Sequence, residues 1–264
     1  DDFMQAQFEK IKYVSDLQRK YDCDVIHAGD FFHYWKPSPG LLTDMIQRLP
    51  NQFLTIYGQH DLPGNNYDNH IKSGLNTLNA AGRVHILSGT HWGQEPKISL
   101  TIGGNDILVW HKLVWKNEEP YPDVTRKSQS QRILNKYGDD FDLIVTGDNH
   151  KPFVDTGNDC VLVNPGSFTR QSADETHRPR VYLWWADDSK IVVPSWLPYK
   201  EDAITRQHIE RKEKEDKRIK AFVDRLNSDW DGVVSFEDNL EMFFEKNNIS
   251  DSVKNIIYES LDEE

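Results

Sequence analysis

This 264-residue chain has only two cysteines, no long apolar run and no excess of positive charge. Its two cysteines, Cys23 and Cys160, lie far apart in short apolar segments that resemble strands. This predicts two buried free thiols in a reducing cytoplasm and disfavours a structural disulfide. No run of about 18 apolar residues is present, so we expect no membrane span. The opening residues, Asp-Asp-Phe-Met, have no basic segment followed by an apolar one and do not resemble a signal peptide.

Lysine and arginine number 31 against 43 aspartate and glutamate residues, which gives a net charge of −12. This balance disfavours the binding of nucleic acid along an extended positively charged surface. It does not exclude a nuclease, because bound divalent cations can reverse the potential of a local site. A hydrophobic fraction of 37% and an aromatic fraction of 11% are typical of a globular protein rather than a disordered one.

Apolar residues follow two periodicities along the first 190 residues. Residues 3–17 have the spacing of an amphipathic helix, and residues 41–49 resume it. Short apolar runs predict strands at residues 21–28, 53–57, 84–87, 98–102, 107–110, 141–145, 160–163 and 181–185. Helices alternate with strands in the first half and strands dominate the second half. This pattern favours a layered α/β architecture with central sheets and outer helices.

The composition changes near Pro198 and divides the chain into two predicted parts, residues 1–198 and residues 199–264. Residues 201–220 mix both charge signs densely, which predicts a solvated helix with i,i+4 ion pairs rather than a nucleic-acid arm. After Gly232 we expect a small helical unit. Its apolar face would comprise Leu240, Phe243, Phe244, Val253, Ile256, Ile257 and Leu261.

Four predicted strands end abruptly in residue types that bind metal ions. These residues are Asp30 after Gly29, His60 in the Gly-Gln-His-Asp run at 58–61, His111 after Trp110, and His150 in the Gly-Asp-Asn-His run at 147–150. Ligands at the carboxyl ends of neighbouring strands converge at one sheet edge, and glycine before a ligand permits a tight turn. Each loop alone is weak evidence, since Gly-Asp is a common turn and single histidines often pack in cores. All four together predict a site for manganese, iron or zinc rather than calcium.

Five motifs carry a resemblance to a known family. They are Gly-Asp-Phe-Phe-His at 29–33, Pro-Ser-Pro-Gly at 37–40, Gly-Gln-His-Asp at 58–61, Gly-Asp-Asn-His at 147–150 and Asn-Pro-Gly-Ser at 164–167. Roughly the first 190 residues are similar to the calcineurin-like metallophosphoesterase superfamily, and within it to the SbcD-type DNA repair nucleases of bacteria and phages. The resemblance implies a four-layer αββα sandwich with a small helical C-terminal appendage. It also implies phosphodiester hydrolysis with two divalent metal ions, Mn²⁺ in the first place and Mg²⁺ as the alternative.

The resemblance further implies roles for individual metal ligands. Asp30 would bridge both metals, Gln59 takes the position of a metal-binding asparagine, and His111 would bind the second metal. Asp148 stands where the family has the first histidine of a Gly-His-x-His motif, and His150 would bind the first metal.

Two further histidines would act on the substrate. His60 matches the histidine that contacts the scissile phosphate and protonates the leaving group, which is general-acid work suited to imidazole. His33 matches a residue that places the DNA backbone, although it would equally serve as an ordinary surface residue. Asn164 either has a direct role or caps a turn.

Two features depart from the family pattern. The family's opening strand with its Asp-x-His motif is absent, because the chain begins inside the expected first helix. We expect that residues upstream are missing from this sequence, with a pseudoenzyme as the alternative; Asp30 and His150 then remain for the first metal. Gln59 and Asp148 replace usual ligands of the second metal, which predicts a site tuned towards a harder ion such as Mn²⁺ or Mg²⁺.

Three functions are compatible with this sequence. The leading interpretation is a DNA exo- or endonuclease that acts with an SbcC-type ATPase partner, in the cytoplasm of a bacterium or of a phage's host. A homodimer is compatible with it. The C-terminal apolar face would dock the partner's coiled coil or pack on its own domain. The alternatives are a phosphodiesterase or phosphatase for small substrates, and a catalytically silent binding module.

Overall fold

The computed structural model describes residues 3–88, 90–116, 128–169, 177–187, 189–200, 236–247 and 249–261. Contacts between residues divide the chain into two units, residues 1–203 and residues 204–264. The described part of the first unit contains the helices α1 (Phe3–Tyr21), α2 (Pro39–Arg48), α3 (Gly74–Ala80) and α4 (Ser130–Tyr137), and two 3₁₀ helices, Pro63–Asn65 and Tyr67–Lys72. Its strands are β1 (Val25–His27), β2 (Phe53–Thr55), β3 (His85–Ile86), β4 (Leu100–Ile102), β5 (Asn105–Trp110), β6 (Leu143–Thr146), β7 (Phe153–Gly157), β8 (Cys160–Asn164), β9 (Arg180–Trp184) and β10 (Val192–Trp196).

Local sequence explains the bounds of the first two helices. Helix α1 ends before Asp22, whose φ of 49° lies outside the right-handed helical region. Helix α2 follows Ser38, whose hydroxyl accepts a hydrogen bond from the Leu41 N–H at 3.2 Å. Pro39 occupies the first turn, where its fixed φ suits the helix and its missing N–H costs nothing. The two predicted helices are thereby confirmed.

Two sheets lie at the centre of the first unit. The first has the strand order β1-β2-β3 with all strands parallel. The second has the order β4-β5-β6-β8-β7, in which β5, β6 and β8 are parallel and the edge strands β4 and β7 run antiparallel to their neighbours. Strands β9 and β10 form an antiparallel ribbon. Because parallel strands share the direction of their carboxyl ends, the loops after β1 and β2 share one edge, as do those after β5 and β6.

Alternating side chains of the strands separate the hydrophobic core into layers. In β5, Ile107 and Val109 belong to the core between the two sheets, whereas Leu108 and Trp110 belong to the cluster with Leu134 of helix α4. Helices α1, α2 and α3 cover the outer face of the first sheet through a third cluster. The resulting order of helices, sheet, sheet and helix confirms the four-layer αββα architecture.

The predicted strands are all present with shifted ends, and the structure adds β7 and β10. Both cysteines are free, as predicted. Cys160 is buried, and this burial raises the pKa of its thiol to about 12. Cys23 is half-buried, so the prediction of two buried thiols is correct for Cys160 and wrong for Cys23.

The described part of the second unit contains two helices, α5 (Phe236–Lys246) and α6 (Asp251–Leu261). The expected apolar face is divided: Leu240 and Phe244 are buried, whereas Ile256 is 61% exposed. The Phe244 and Tyr258 rings meet edge to face, with centroids 5.8 Å apart. The charged helix predicted for residues 201–220 lies outside the described residues. Within the described residues, every helix is too short or too polar to cross a membrane.

A buried histidine makes the stability of the first unit depend on pH. His91 is 3% exposed, its ring stacks on Tyr67 at 4.6 Å, and its Nδ1 accepts the Tyr57 N–H at 3.2 Å. Burial, with a smaller effect of the His70 charge, lowers the pKa of His91 from 6.5 to about 4. Because folding lowers the pKa of this base, the folded state favours the neutral ring. The free energy of unfolding is therefore highest above pH 6.5 and decreases as the pH falls from 6.5 towards 4.

We expect protonation of His91 to remove about 3 kcal/mol of unfolding free energy between pH 7 and pH 4. Urea unfolding of the wild type and of His91→Asn at both pH values measures this contribution. Asparagine retains an acceptor for the Tyr57 N–H but does not titrate, so the variant should lose less stability in acid. An equal loss in both proteins would contradict the assignment.

Candidate metal centre

The loop after β1 turns through two residues with positive φ. Gly29 has a φ of 89° and Asp30 a φ of 56°. A Cβ at Gly29 would lie 2.5 Å from His111 Nδ1 and 2.9 Å from the Gly58 nitrogen, so only glycine fits this close approach. The turn directs the Asp30 carboxylate towards the loop after β2, where its Oδ1 accepts the His60 N–H at 2.9 Å.

His111 follows β5 and is 2% exposed. Its Nδ1 donates to the Ala28 carbonyl at 2.6 Å, so the lone pair belongs to Nε2 when the ring is neutral. Nε2 lies 3.3 Å from Asp30 Oδ2 but has no hydrogen-bond partner. Burial opposes both charges, yet the mutual attraction raises the pKa of His111 and lowers the pKa of Asp30. A bound cation would take the place of the proton between them.

The two unusual residues of the predicted site lie against each other. Gln59 donates from Nε2 to Asp148 Oδ1 at 3.1 Å. This contact sets the orientation of the amide and leaves Gln59 Oε1 buried without a partner. Asp148 follows Gly147 and has a φ of 72°, a conformation that short polar side chains tolerate.

Asp30, His111 and Asp148 each offer a ligand atom within 4.8 Å of the others. Buried polar atoms normally have hydrogen-bond partners, and His111 Nε2 and Gln59 Oε1 have none, so both atoms are candidates for contact with a bound group. Two carboxylates, an imidazole nitrogen and an amide oxygen suit a divalent transition-metal ion. Asp30, His111 and Asp148 therefore fit one divalent cation, and Gln59 lies against Asp148 at the same place.

Asp61 ends the Gly-Gln-His-Asp motif, and no role for it follows from the sequence pattern; in the structure it holds two of the loops together. The side chain is fully buried. Oδ2 accepts the N–H groups of Phe31 and Gly58 at 3.1 and 3.0 Å, and Oδ1 accepts the Phe32 N–H at 3.1 Å. Burial raises the pKa of Asp61 to about 6 although these three donors favour the carboxylate. The signal that could have identified it is an aspartate directly after a ligand loop.

The loop after β6 is fixed by two buried asparagines. Asn149 donates to the Val114 carbonyl at 2.7 Å, and Asn164 donates to the carbonyls of Asn149 and Lys151, both at 2.8 Å. The amide nitrogen of Asn164 thereby holds this turn. His150 is half-buried in the same loop and is not part of the group formed by Asp30, His111 and Asp148.

His60 and His33 lie together on the exposed side of the loops. Their rings stack with centroids 5.4 Å apart and an angle of 19° between the planes. The backbone N–H of His60 donates to Asp30, which places this exposed residue next to the ligand group. His33 is also exposed. The pair can therefore meet a substrate that approaches from solvent.

Gly58→Ala is expected to lower the unfolding free energy by about 1–3 kcal/mol and to weaken metal binding. A Cβ at this position would overlap the backbone nitrogen and Oδ1 of Asp30, which cannot move without leaving the ligand group. Urea unfolding and Mn²⁺ titration measure the two effects. Gly40→Ala is the matched control, because a Cβ there meets only Ser38 Oγ at 4.0 Å. Equal behaviour of the two variants would contradict the prediction.

The chain is similar to known proteins in its family pattern and in its fold. The model of the calcineurin-like phosphoesterase superfamily domain matches residues 6–184. No curated protein matches the chain. Among solved structures, a novel archaeal phosphodiesterase is similar at 15% identity, with a TM-score of 0.45 and coverage of 71% of this chain and 92% of its own. A hypothetical protein from Pyrococcus horikoshii is similar at 13% identity, with a TM-score of 0.40 and coverage of 80% and 90%.

A Vps29 structure from Entamoeba histolytica with zinc is similar at 18% identity, with a TM-score of 0.30 and coverage of 60% of this chain and 81% of its own. Structural similarity at these levels assigns no substrate. The family model spans more than half of the chain and includes all the loops that carry the ligand group. The chain belongs to the calcineurin-like phosphoesterase superfamily.

Proposed function

We propose that this protein is a metal-dependent DNA nuclease of the SbcD type, which hydrolyses phosphodiester bonds as an exo- or endonuclease. The observation that carries the proposal is the ligand group of Asp30, His111 and Asp148, with the unpartnered atoms His111 Nε2 and Gln59 Oε1, beside the exposed His60, whose N–H donates to Asp30. Phosphoester hydrolysis needs a cation near the phosphoryl oxygens and a proton donor near the leaving oxygen. Both requirements can be met by this set of side chains.

Each side chain of the site would have a separate role in hydrolysis. A divalent cation, when bound, supplies polarisation of the phosphate and activation of water. Asp30 and Asp148 provide negative charge for it, and the Ala28 carbonyl orients His111 towards it. His60 is the general acid that donates a proton to the leaving oxygen, since its backbone is fixed to Asp30 while its ring remains exposed. His33, stacked on His60, positions the substrate backbone.

We further propose two Mn²⁺ ions per chain, with Mg²⁺ as the alternative. The first ion would use Asp30 and His150, and the second would use Asp30 with Gln59, His111 and Asp148. Titration calorimetry with each metal gives the stoichiometry and the order of affinities. Zinc binding as tight as that of ordinary members of the superfamily would contradict the assignment of a harder ion to the site with Gln59 and Asp148.

His60→Ala is expected to lower kcat for Mn²⁺-dependent DNA cleavage by about 10²- to 10⁴-fold while Mn²⁺ affinity is retained. The side chain lies outside the ligand group, so its loss removes a proton donor and not a metal ligand. Cleavage of single-stranded and duplex oligonucleotides and of bis-para-nitrophenyl phosphate is measured in parallel. His85→Ala is the control, because His85 is an exposed histidine on β3.

The same assays distinguish the other functions. Hydrolysis of bis-para-nitrophenyl phosphate with no action on either DNA substrate would replace the nuclease by a small-substrate phosphodiesterase. Absence of all hydrolysis with Mn²⁺ bound would favour a silent binding module. Unchanged kcat in His60→Ala would remove this residue from the proposed role.

We also propose an SbcC-type ATPase as a partner of the second unit. Met242 and Ile256 are 62% and 61% exposed there, and Val253 is 43% exposed, which leaves apolar surface on α5 and α6 available to a coiled coil. A pull-down with the cognate ATPase, comparing the whole chain with one cut after Lys200, tests this proposal. Equal capture by both forms would contradict it, and sedimentation of the whole chain alone determines whether it is a homodimer.

A further inference from the structure

A cavity of about 470 Å³ opens beside the ligand group. His111 and Asp148 form part of its wall, so the cavity and the proposed metal site share a surface. The turn at residues 92–95 forms another part of the wall, and the remainder includes Trp110 and Lys112. Its volume lies within the range of about 300–1,000 Å³ that is usual for ligand pockets. We call it the side cleft.

The turn that carries Trp92 is held rigidly. The Trp92 N–H donates to the Tyr57 carbonyl at 3.0 Å, and the Gln94 N–H donates to the His91 carbonyl at 3.0 Å. Gln94 Oε1 accepts the His91 N–H at 3.3 Å, which closes the turn from both sides. Gly93 provides the positive φ of 78° that the turn needs. Trp92 is half-buried on this turn, so part of it is accessible in the side cleft.

Lys112 supplies the positive charge of the side cleft. It follows His111 directly and is the only lysine or arginine among the described residues of the lining. Its ammonium group lies 4.7 Å from the centroid of the Trp110 ring, a cation–π contact that keeps it at the wall. One cation and one accessible indole in the same lining suit a ligand with one anionic group and one aromatic group.

We propose that the side cleft binds the nucleoside that adjoins the scissile phosphodiester, with its base against Trp92 and its flanking phosphate on Lys112. This inference rests on the proposed function and adds the recognition of a nucleoside to it. Every base has an aromatic face, so stacking on an indole is tolerant of sequence. The net charge of −12 disfavours a long electrostatic track, whereas one cation in a cleft acts only on the nucleotides next to the site.

Two chromogenic esters with the same leaving group test this inference on the whole chain with Mn²⁺. One is thymidine 5′-(para-nitrophenyl phosphate) and the other is methyl para-nitrophenyl phosphate, which lacks the nucleoside. We expect the wild type to prefer the nucleoside ester by about tenfold or more in kcat/KM, the size of one stacking contact. Trp92→Ala should abolish this preference and change the methyl ester by less than about twofold, whereas Trp92→Phe should retain most of the preference.

Matched variants and substrates complete the experiment. Trp185→Ala is the control, because Trp185 is 38% exposed and lies outside the side cleft. A dinucleotide ester adds one flanking phosphate, and Lys112→Gln should remove whatever advantage that phosphate provides. An advantage of the dinucleotide in the wild type indicates a polynucleotide chain as the source of the nucleoside, whereas its absence indicates a small nucleotide ester and removes Lys112 from the proposal.

The two esters separate the role of the side cleft from the hydrolytic activity of the site. Equal losses on both esters in Trp92→Ala would overturn the side cleft as a nucleoside site while hydrolysis itself stands. If neither ester is hydrolysed, the proposed function has failed, and equilibrium dialysis of the intact nucleoside ester then tests the cleft alone. Weaker binding by Trp92→Ala than by Trp92→Phe and wild type would support the cleft; equal binding by all three would overturn it.

Discussion

Asp30→Asn is expected to weaken Mn²⁺ binding by about 100-fold or more and to abolish Mn²⁺-dependent phosphodiester hydrolysis. Loss of outer groups that merely orient metal ligands already costs about 10- to 100-fold in affinity, and Asp30 belongs to the ligand group itself. The substitution preserves shape, and asparagine tolerates the φ of 56° at this position. Its oxygen can still accept the His60 N–H, so the loop remains in place.

Two electrostatic changes produce the loss in Asp30→Asn. The charge that attracts a cation disappears, and the new amide nitrogen can donate to His111 Nε2, which lies 3.3 Å from Asp30 Oδ2. That donation would occupy the lone pair intended for a metal. Titration calorimetry measures the affinity and bis-para-nitrophenyl phosphate reports the activity. Asp142→Asn is the control, because Asp142 pairs with Lys190 away from the site; unchanged Mn²⁺ affinity in Asp30→Asn would contradict the assigned ligand.

Asp61→Ala is expected to reduce the unfolding free energy by about 3 kcal/mol or more. Three buried backbone N–H groups, of Phe31, Phe32 and Gly58, would lose their acceptor at once, and each unsatisfied buried donor costs about 1–3 kcal/mol. The loss acts on the loops after β1 and β2, so metal affinity should fall together with stability. Urea unfolding at pH 7 and Mn²⁺ titration measure the two effects.

A surface carboxylate is the matched control for Asp61→Ala. Asp44 pairs with Arg48 at 3.1 Å on the outside of helix α2. Exposed pairs of this kind contribute about 0.3–0.5 kcal/mol, so Asp44→Ala should change stability very little. If Asp61→Ala were as stable as Asp44→Ala, water would have to replace the carboxylate at all three donors, and the bridging role of Asp61 would be wrong.

Elements with a clear apolar pattern could be predicted from the chain, and elements without one could not. Strand β6 is buried at all four positions, and its continuous apolar run predicts a strand. Strand β7 contains Asp155 and ends at Gly157, and strand β10 contains Pro194, so neither has the pattern of a strand. Helix α4 buries only Ile133 and Leu134 among its apolar residues, too few to define a helical period. In these elements, pairing and packing within the fold outweigh local preference.

The amino-acid sequence by itself determined which residue types stand at the strand ends, because a short apolar run followed by glycine and a polar residue is a local signal. This signal predicts a metal site at Asp30, His60, His111 and His150, and the family resemblance adds Gln59 and Asp148 as ligands. Only the tertiary structure decided that Asp30, His111 and Asp148 meet while His150 stays outside their group.

The physical reason is that contacts between side chains of different loops depend on features that leave no pattern in the local sequence. The register of β5 against β6 sets the relative heights of the loops after them. The positive φ values of Asp30 and Asp148 set the direction in which the two carboxylates leave the backbone. The buried Asp61 then fixes two loops that lie about thirty residues apart in the chain, a contact that only the folded sheet order creates.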